Sequence, residues 1–199
     1  MNYPTFFDSI QSIKLKDPLA QTLGAFFDGT YEITYLDVVK SAGHSCPTVA
    51  GAYLMAQVAL KELFSHDNAV RGTIKVEFKE ALEDGVAGVI GNVVSHITGA
   101  TDKSGFKGLN GNFARHSLMN FNANISSSAR FTRVDNGQSV DVVYDPSSIK
   151  PDQNMMPLMQ KMLSGQASSD EIKEFGILWQ DRVQRIFENS EKVIKVEAL

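Results

Sequence analysis

Cysteine is nearly absent: Cys46 stands alone among 199 residues. No intramolecular disulfide can form, so a disulfide-stapled secreted scaffold is excluded. Long apolar runs are missing as well. No segment approaches the roughly 18–20 uncharged apolar residues that a membrane-spanning helix needs. Positive charge is in deficit, with 19 Lys and Arg against 23 Asp and Glu and a net charge of −4. The basic residues are scattered, which removes the electrostatic case for nucleic acid. The opening Met1-Asn2-Tyr3-Pro4 lacks the basic start and apolar stretch of a signal peptide. There is no internal repeat and no low-complexity tract. The expectation is a soluble cytoplasmic protein whose partners include neither nucleic acid nor membrane.

What is present suits a globular core, with 43% apolar and 21% charged residues. A chain of this length buries enough surface to fold without staples. A helix is predicted from Asp17-Pro18, an N-cap acid with proline behind it, through Leu19, Leu23, Phe26 and Phe27 to Gly29. Residues 31–35 alternate like a short strand. Residues 37–42 read as a helical turn closed by Gly43. The clearest helix spans 47–64: Pro47 sits in the first turn, and Val49, Ala52, Tyr53, Ala56, Ala59, Leu60 and Leu63 follow as a broad apolar surface. Residues 73–78 alternate as a half-buried strand, and 86–97 form a second buried helix. A glycine-rich loop covers 99–112. Strands are predicted at 117–122, 129–134 and 139–144, the last two joined by the hairpin signal Asp135-Asn136-Gly137. Prolines 146, 151 and 157 then open a polar stretch leading to helices, one starting at Ser168-Ser169-Asp170-Glu171. The expected class is α+β: an antiparallel sheet packed against buried helices over residues 1–145, with a helical extension over 146–199.

The chemistry concentrates in Gly43-His44-Ser45-Cys46-Pro47. In an extended stretch, residues i and i+2 point the same way, so His44 and Cys46 share one side. Imidazole nitrogen with thiolate sulfur suits zinc or another transition metal, not magnesium or calcium. Cys46 immediately precedes a helix, whose N-terminus stabilises a thiolate. The plainer reading of His-x-Cys is a buried structural cysteine beside a capping histidine; the bracketing by Gly43 and Pro47 argues for more. Two ligands are too few, since a structural zinc takes four and a catalytic one about three plus water. His96, near the end of the second buried helix, and His116, before a strand, are candidates to complete the set. His66 reads as a surface residue, and Asp84 as a weak acidic candidate. Lys103, Lys107 and Arg115 in and after the glycine-rich loop could meet an anionic small molecule, although the loop matches no phosphate-binding motif. Met155, Met156, Met159 and Met162 read as packing residues.

The run from Gly43 to Pro47, followed by Ala50-Gly51-Ala52-Tyr53-Leu54-Met55-Ala56 and Ala59-Leu60, resembles the signature of the FmdE family of formylmethanofuran dehydrogenase. Thr98-Gly99-Ala100-Thr101 and the Gly111-Asn112 turn resemble its later landmarks. The resemblance spans about residues 36–145. It implies an α+β core, a homodimer, and a metal, zinc first, beside His44 and Cys46. The chain departs from the family pattern at Ala100, where further cysteines are common nearby, and it has no cysteine-rich tail. It resembles a stand-alone member without that zinc-finger segment. Two other roles stay open: a metal-free thiol enzyme with Cys46 as nucleophile and His44 or His96 as base, and an accessory component of a larger complex whose C-terminal helices dock a partner.

Overall fold

The computed structural model describes residues 2–65 and 68–199. The expectation for His66 falls outside the described residues. In chain order the elements are β1 (Ile13–Lys16), α1 (Pro18–Thr22), β2 (Thr30–Ile33), α2 (Tyr35–Ala42), α3 (Pro47–Leu63), β3 (Ala69–Val70), β4 (Ile74–Phe78), α4 (Ala87–Thr98), β5 (Met119–Asn120), β6 (Ala129–Arg133), β7 (Ser139–Tyr144), α5 (Met155–Leu163), α6 (Ser169–Glu188), α7 (Ser190–Val193) and β8 (Ile194–Ala198). The class is α+β, as expected.

There are two sheets among the described residues, ordered β2-β1-β3 and β5-β4-β6-β7-β8. Neither is purely antiparallel. β1 pairs parallel with β3, and β4 parallel with β5, while the remaining pairings are antiparallel. Both parallel partners are only two residues long and arrive after a helix or a long loop, so local alternation gives no sign of their direction. The hairpin between β6 and β7 forms around Asp135-Asn136-Gly137, with Gly137 at φ +76°. At the far edge, β8 pairs with β7 along its length, Tyr144 opposite Ile194. The C-terminal segment, expected to be helical throughout, thus ends as a strand of the main sheet.

Helix α3 is the centre of the core. Val49, Ala50, Ala52, Tyr53, Ala56 and Ala59 are fully buried, and the helix packs against α4, α2, α6 and strands β7 and β8. Its small residues let these elements approach closely: a Cβ at Gly51 would overlap the ring of Tyr144 on β7. The predicted helix over residues 17–29 is shorter than its apolar pattern suggested. α1 stops at Thr22, Gly24 adopts φ +72°, and Leu23 and Phe27 are exposed. The strand expected over 31–35 ends at Ile33 because Thr34 starts α2 with a capping box, its side chain and Asp37 bonding each other's backbone N–H. The strand expected over 117–122 shrinks to two residues, bounded by Ser117 and Asn122 in left-handed conformation.

One buried ionic cluster ties distant segments together. Asp17 caps α1 by accepting Ala20 N–H at 3.1 Å, and its carboxylate also takes Arg71 Nη1 at 3.0 Å and Arg115 Nη2 at 2.7 Å. Gly72 and Gly99, both at positive φ, leave the space that the Arg115 guanidinium fills. Burial alone would raise the Asp17 pKa; the Ala20 N–H and the two arginines outweigh it and hold the carboxyl below its ordinary value.

Candidate functional site

The turn between α2 and α3 is built by local backbone chemistry. Gly43 closes α2 in the left-handed conformation at φ +76°, its N–H bonded to Val39 O at 2.9 Å. The chain bends at His44 and reaches Cys46, the extended N-cap of α3, and Pro47 takes the first helical position. This turn brings His44 and Cys46 together: Cys46 Sγ lies 3.4 Å from His44 Nε2. His44 is exposed at the surface, whereas Cys46 is 8% exposed.

Each member of the pair is oriented from behind. His44 Nδ1 lies 3.0 Å from Ala42 O. A carbonyl only accepts, so Nδ1 carries the proton and, in the neutral ring, Nε2 presents its lone pair to the sulfur. Cys46 Sγ accepts Val49 N–H at 3.4 Å, the N-cap contact that fixes its side chain at the helix start.

Four side chains that sequence reasoning missed surround the pair, together with Ser45 between its members. Ser45 is buried and contacts Tyr35 Oη at 3.0 Å and Gln180 Oε1 at 3.0 Å. Its carbonyl accepts Trp179 Nε1–H at 2.9 Å and Gln180 Nε2 at 3.2 Å. Tyr144 donates to Pro47 O at 2.6 Å. Burial pushes the Tyr35 and Tyr144 phenols well above their ordinary value. The Ser45 hydrogen bond, for Tyr35, and Arg182, for Tyr144, act the other way, and proximity to Cys46 raises both further. Both phenols are therefore protonated donors. No local motif marks these residues; Trp179 is the single indole of the chain, which is the one signal that was available.

Of the other sequence-selected residues, the structure brings His96 toward the site. A cleft of about 430 Å³ between α2 and α4 is lined by His44 and His96 together with Ser41, Asn92 and Ser95. Burial lowers the His96 pKa, the Arg71 charge lowers it further, and Asp37 partly offsets both. His116 belongs to the closure of the glycine-rich loop, its Nδ1 3.0 Å from Ser117 Oγ and its N–H on Phe106 O. Arg115 is buried on Asp17 and does not face outward from the loop. Lys103, Lys107 and Asp84 are exposed. Of the methionines, Met155 is buried and Met156 exposed. A second cleft, about 470 Å³, opens beside the α3 start, with Pro47, Thr48 and Tyr144 among its walls. Among the described residues, no group of three or more His, Cys, Asp or Glu side chains is placed to hold a metal ion, and no helix is long and apolar enough to cross a membrane.

Fold and turn together define an α+β protein with a thiol–imidazole pair at the N-terminus of its central helix. The family model described as "FmdE, Molybdenum formylmethanofuran dehydrogenase operon" matches residues 42–195, and the chain belongs to that family. Among solved structures, it is similar to a tungsten formylmethanofuran dehydrogenase FmdE-like protein from Syntrophus aciditrophicus, at 13% identity and a TM-score of 0.42, over 84% of this chain and 72% of that one. No curated protein matches the chain.

Proposed function

We propose that this FmdE-family protein binds a divalent transition metal, zinc first, through Cys46 Sγ and His44 Nε2. The observation that carries the reading is the pair itself: 3.4 Å between the two donors, with Nδ1 held on the Ala42 carbonyl. Zn–S and Zn–N bonds of about 2.3 and 2.0–2.1 Å in a tetrahedral arrangement place their donors ~3.5 Å apart, so the pair matches a bidentate bite. A carbonyl partner on the far nitrogen is the usual way a ligating imidazole is oriented. Val49 N–H, bonded to Sγ, holds the sulfur in place at the helix start. A metal so bound would act as a Lewis acid on a small molecule. Two protein donors leave coordination positions for water or an exogenous ligand; His96 lines the same cleft as His44, but among the described residues it is not grouped with the pair as a third ligand.

Metal content of protein prepared without chelator, compared with Cys46→Ser, tests the reading. The expected result is about one zinc per chain in the wild type and its loss in the variant. Equal, substoichiometric metal in both proteins overturns it.

A second reading rests on the same contact seen differently. With Nε2 accepting, Cys46 S–H donates to His44, the arrangement of a thiol nucleophile and its base. If metal analysis is negative, alkylation of Cys46 compared between wild type and His44→Ala decides it. A base role predicts slower alkylation in the variant, and equal rates reject it.

A further inference from the structure

The C-terminal helix α6 is more than a neighbour of the site. Its second half is fixed in the core: Val183 and Ile186 are fully buried, and the Phe187 ring packs edge-on against Tyr35 at 4.7 Å. One turn before Val183, Trp179 and Gln180 reach the turn that carries His44 and Cys46. Two donors converge on one acceptor there, Trp179 Nε1–H and Gln180 Nε2 on Ser45 O. Gln180 Oε1 meanwhile accepts the Ser45 hydroxyl proton. Only one orientation of the Gln180 amide satisfies both contacts. Since Ser45 gives its single proton to Gln180, Tyr35 must donate to Ser45. Every polar atom of Ser45 beyond its N–H is thus engaged by α2 or α6. The engaged carbonyl belongs to the peptide that joins Ser45 to Cys46, so its plane sets where the Cys46 side chain starts.

We propose that Trp179 and Gln180 are positioning residues for the His44–Cys46 pair. By clamping the Ser45 carbonyl and hydroxyl, they hold the peptide plane that keeps Sγ against Nε2, and they make a helix 135 positions away in sequence part of the site. The inference rests on the reading of His44 and Cys46 as the working pair. It does not depend on whether that pair holds a metal or acts as a free thiol.

The test compares wild type, Trp179→Phe, Gln180→Leu and the double variant. Phenylalanine keeps an aromatic ring beside Phe175 and removes the N–H donor together with part of the indole. Two readouts are used: iodoacetamide labelling of metal-free, folded protein, in which Cys46 is the only thiol, and the thiolate charge-transfer band after Co²⁺ is added. Thr132→Val, which removes a hydroxyl pair with Ser139 between β6 and β7, controls for general loss of stability. Each lost hydrogen bond is worth about a factor of five in local opening, so labelling should rise roughly fivefold in Trp179→Phe, which loses one bond, about 25-fold in Gln180→Leu, which loses two, and up to about 125-fold in the double variant. The Co²⁺ band should shift or weaken in the same variants, and Thr132→Val should change neither readout. Labelling rates equal to wild type in the clamp variants, or raised as much by Thr132→Val, overturn the proposal. If wild type gives no Co²⁺ band, the metal reading fails and the labelling rates still decide the clamp.

Discussion

At position 51 a hydrogen stands where every other residue carries a Cβ, and the Tyr144 ring occupies that space. The same tyrosine donates to the carbonyl of Pro47, one residue after Cys46. Gly51→Ala should therefore push Tyr144 away from the helix start and destabilise the fold by about 1–3 kcal/mol, the usual cost of overpacking a close-packed interior. Urea unfolding of the variant measures this, and a loss below about 0.5 kcal/mol would mean that the ring yields freely. His44, Ser45 and Cys46 show how much a short stretch of sequence conveys. Their alternation placed His44 and Cys46 side by side, because extended backbone sends i and i+2 the same way. It could not reveal that Ser45, between them, faces the opposite group of partners.

Among the elements, α3 was the most legible. Its proline start and continuous small apolar face are set by neighbours within one or two turns. β8 was the least legible. Residues 194–198 continue directly from a helix, and their pairing with β7 depends on where α6 delivers them. The two capping boxes, Thr34 with Asp37 and Ser168 with Glu171, mark the starts of α2 and α6. The second was anticipated from its acids, whereas the first was hidden by the strand-like alternation before it. β8 covers the outer edge of β7, so a chain ending at residue 193 should expose a row of unpaired backbone groups beside Val140 and Val142. The expected outcome is a lower thermal midpoint with aggregation on heating, read by circular dichroism with light scattering. A truncated chain that melts reversibly at the wild-type temperature would show that β8 contributes little.

Across the whole molecule, Asp17, Arg71 and Arg115 join three segments that are remote in sequence. Removing the charge by Asp17→Asn leaves two arginines facing each other at a buried site and should cost about 3–5 kcal/mol at neutral pH. The wild-type advantage depends on pH in a defined direction. The Asp17 pKa is lowered on folding, so its stabilisation is complete above the ordinary carboxylate range of about 4 and is lost as pH falls through the folded value. Urea midpoints of wild type and variant should differ most at pH 7 and converge below about pH 4; a gap that does not change with pH would assign the effect to shape and not charge. Arg115 itself read as a loop residue available to a ligand, because nothing nearby in sequence announces Asp17, 98 positions earlier. What this chain determined by sequence alone is therefore local: the α+β class, the helix that starts at Pro47, and the shared side of His44 and Cys46. All of these follow from backbone geometry within a few residues. Tertiary structure alone decided that Trp179 and Gln180 of α6 bond Ser45, that Tyr144 fills the space at Gly51, and that β8 joins the sheet beside β7. Those contacts join residues roughly 50 to 135 positions apart, and only the packing of a complete core brings them within reach.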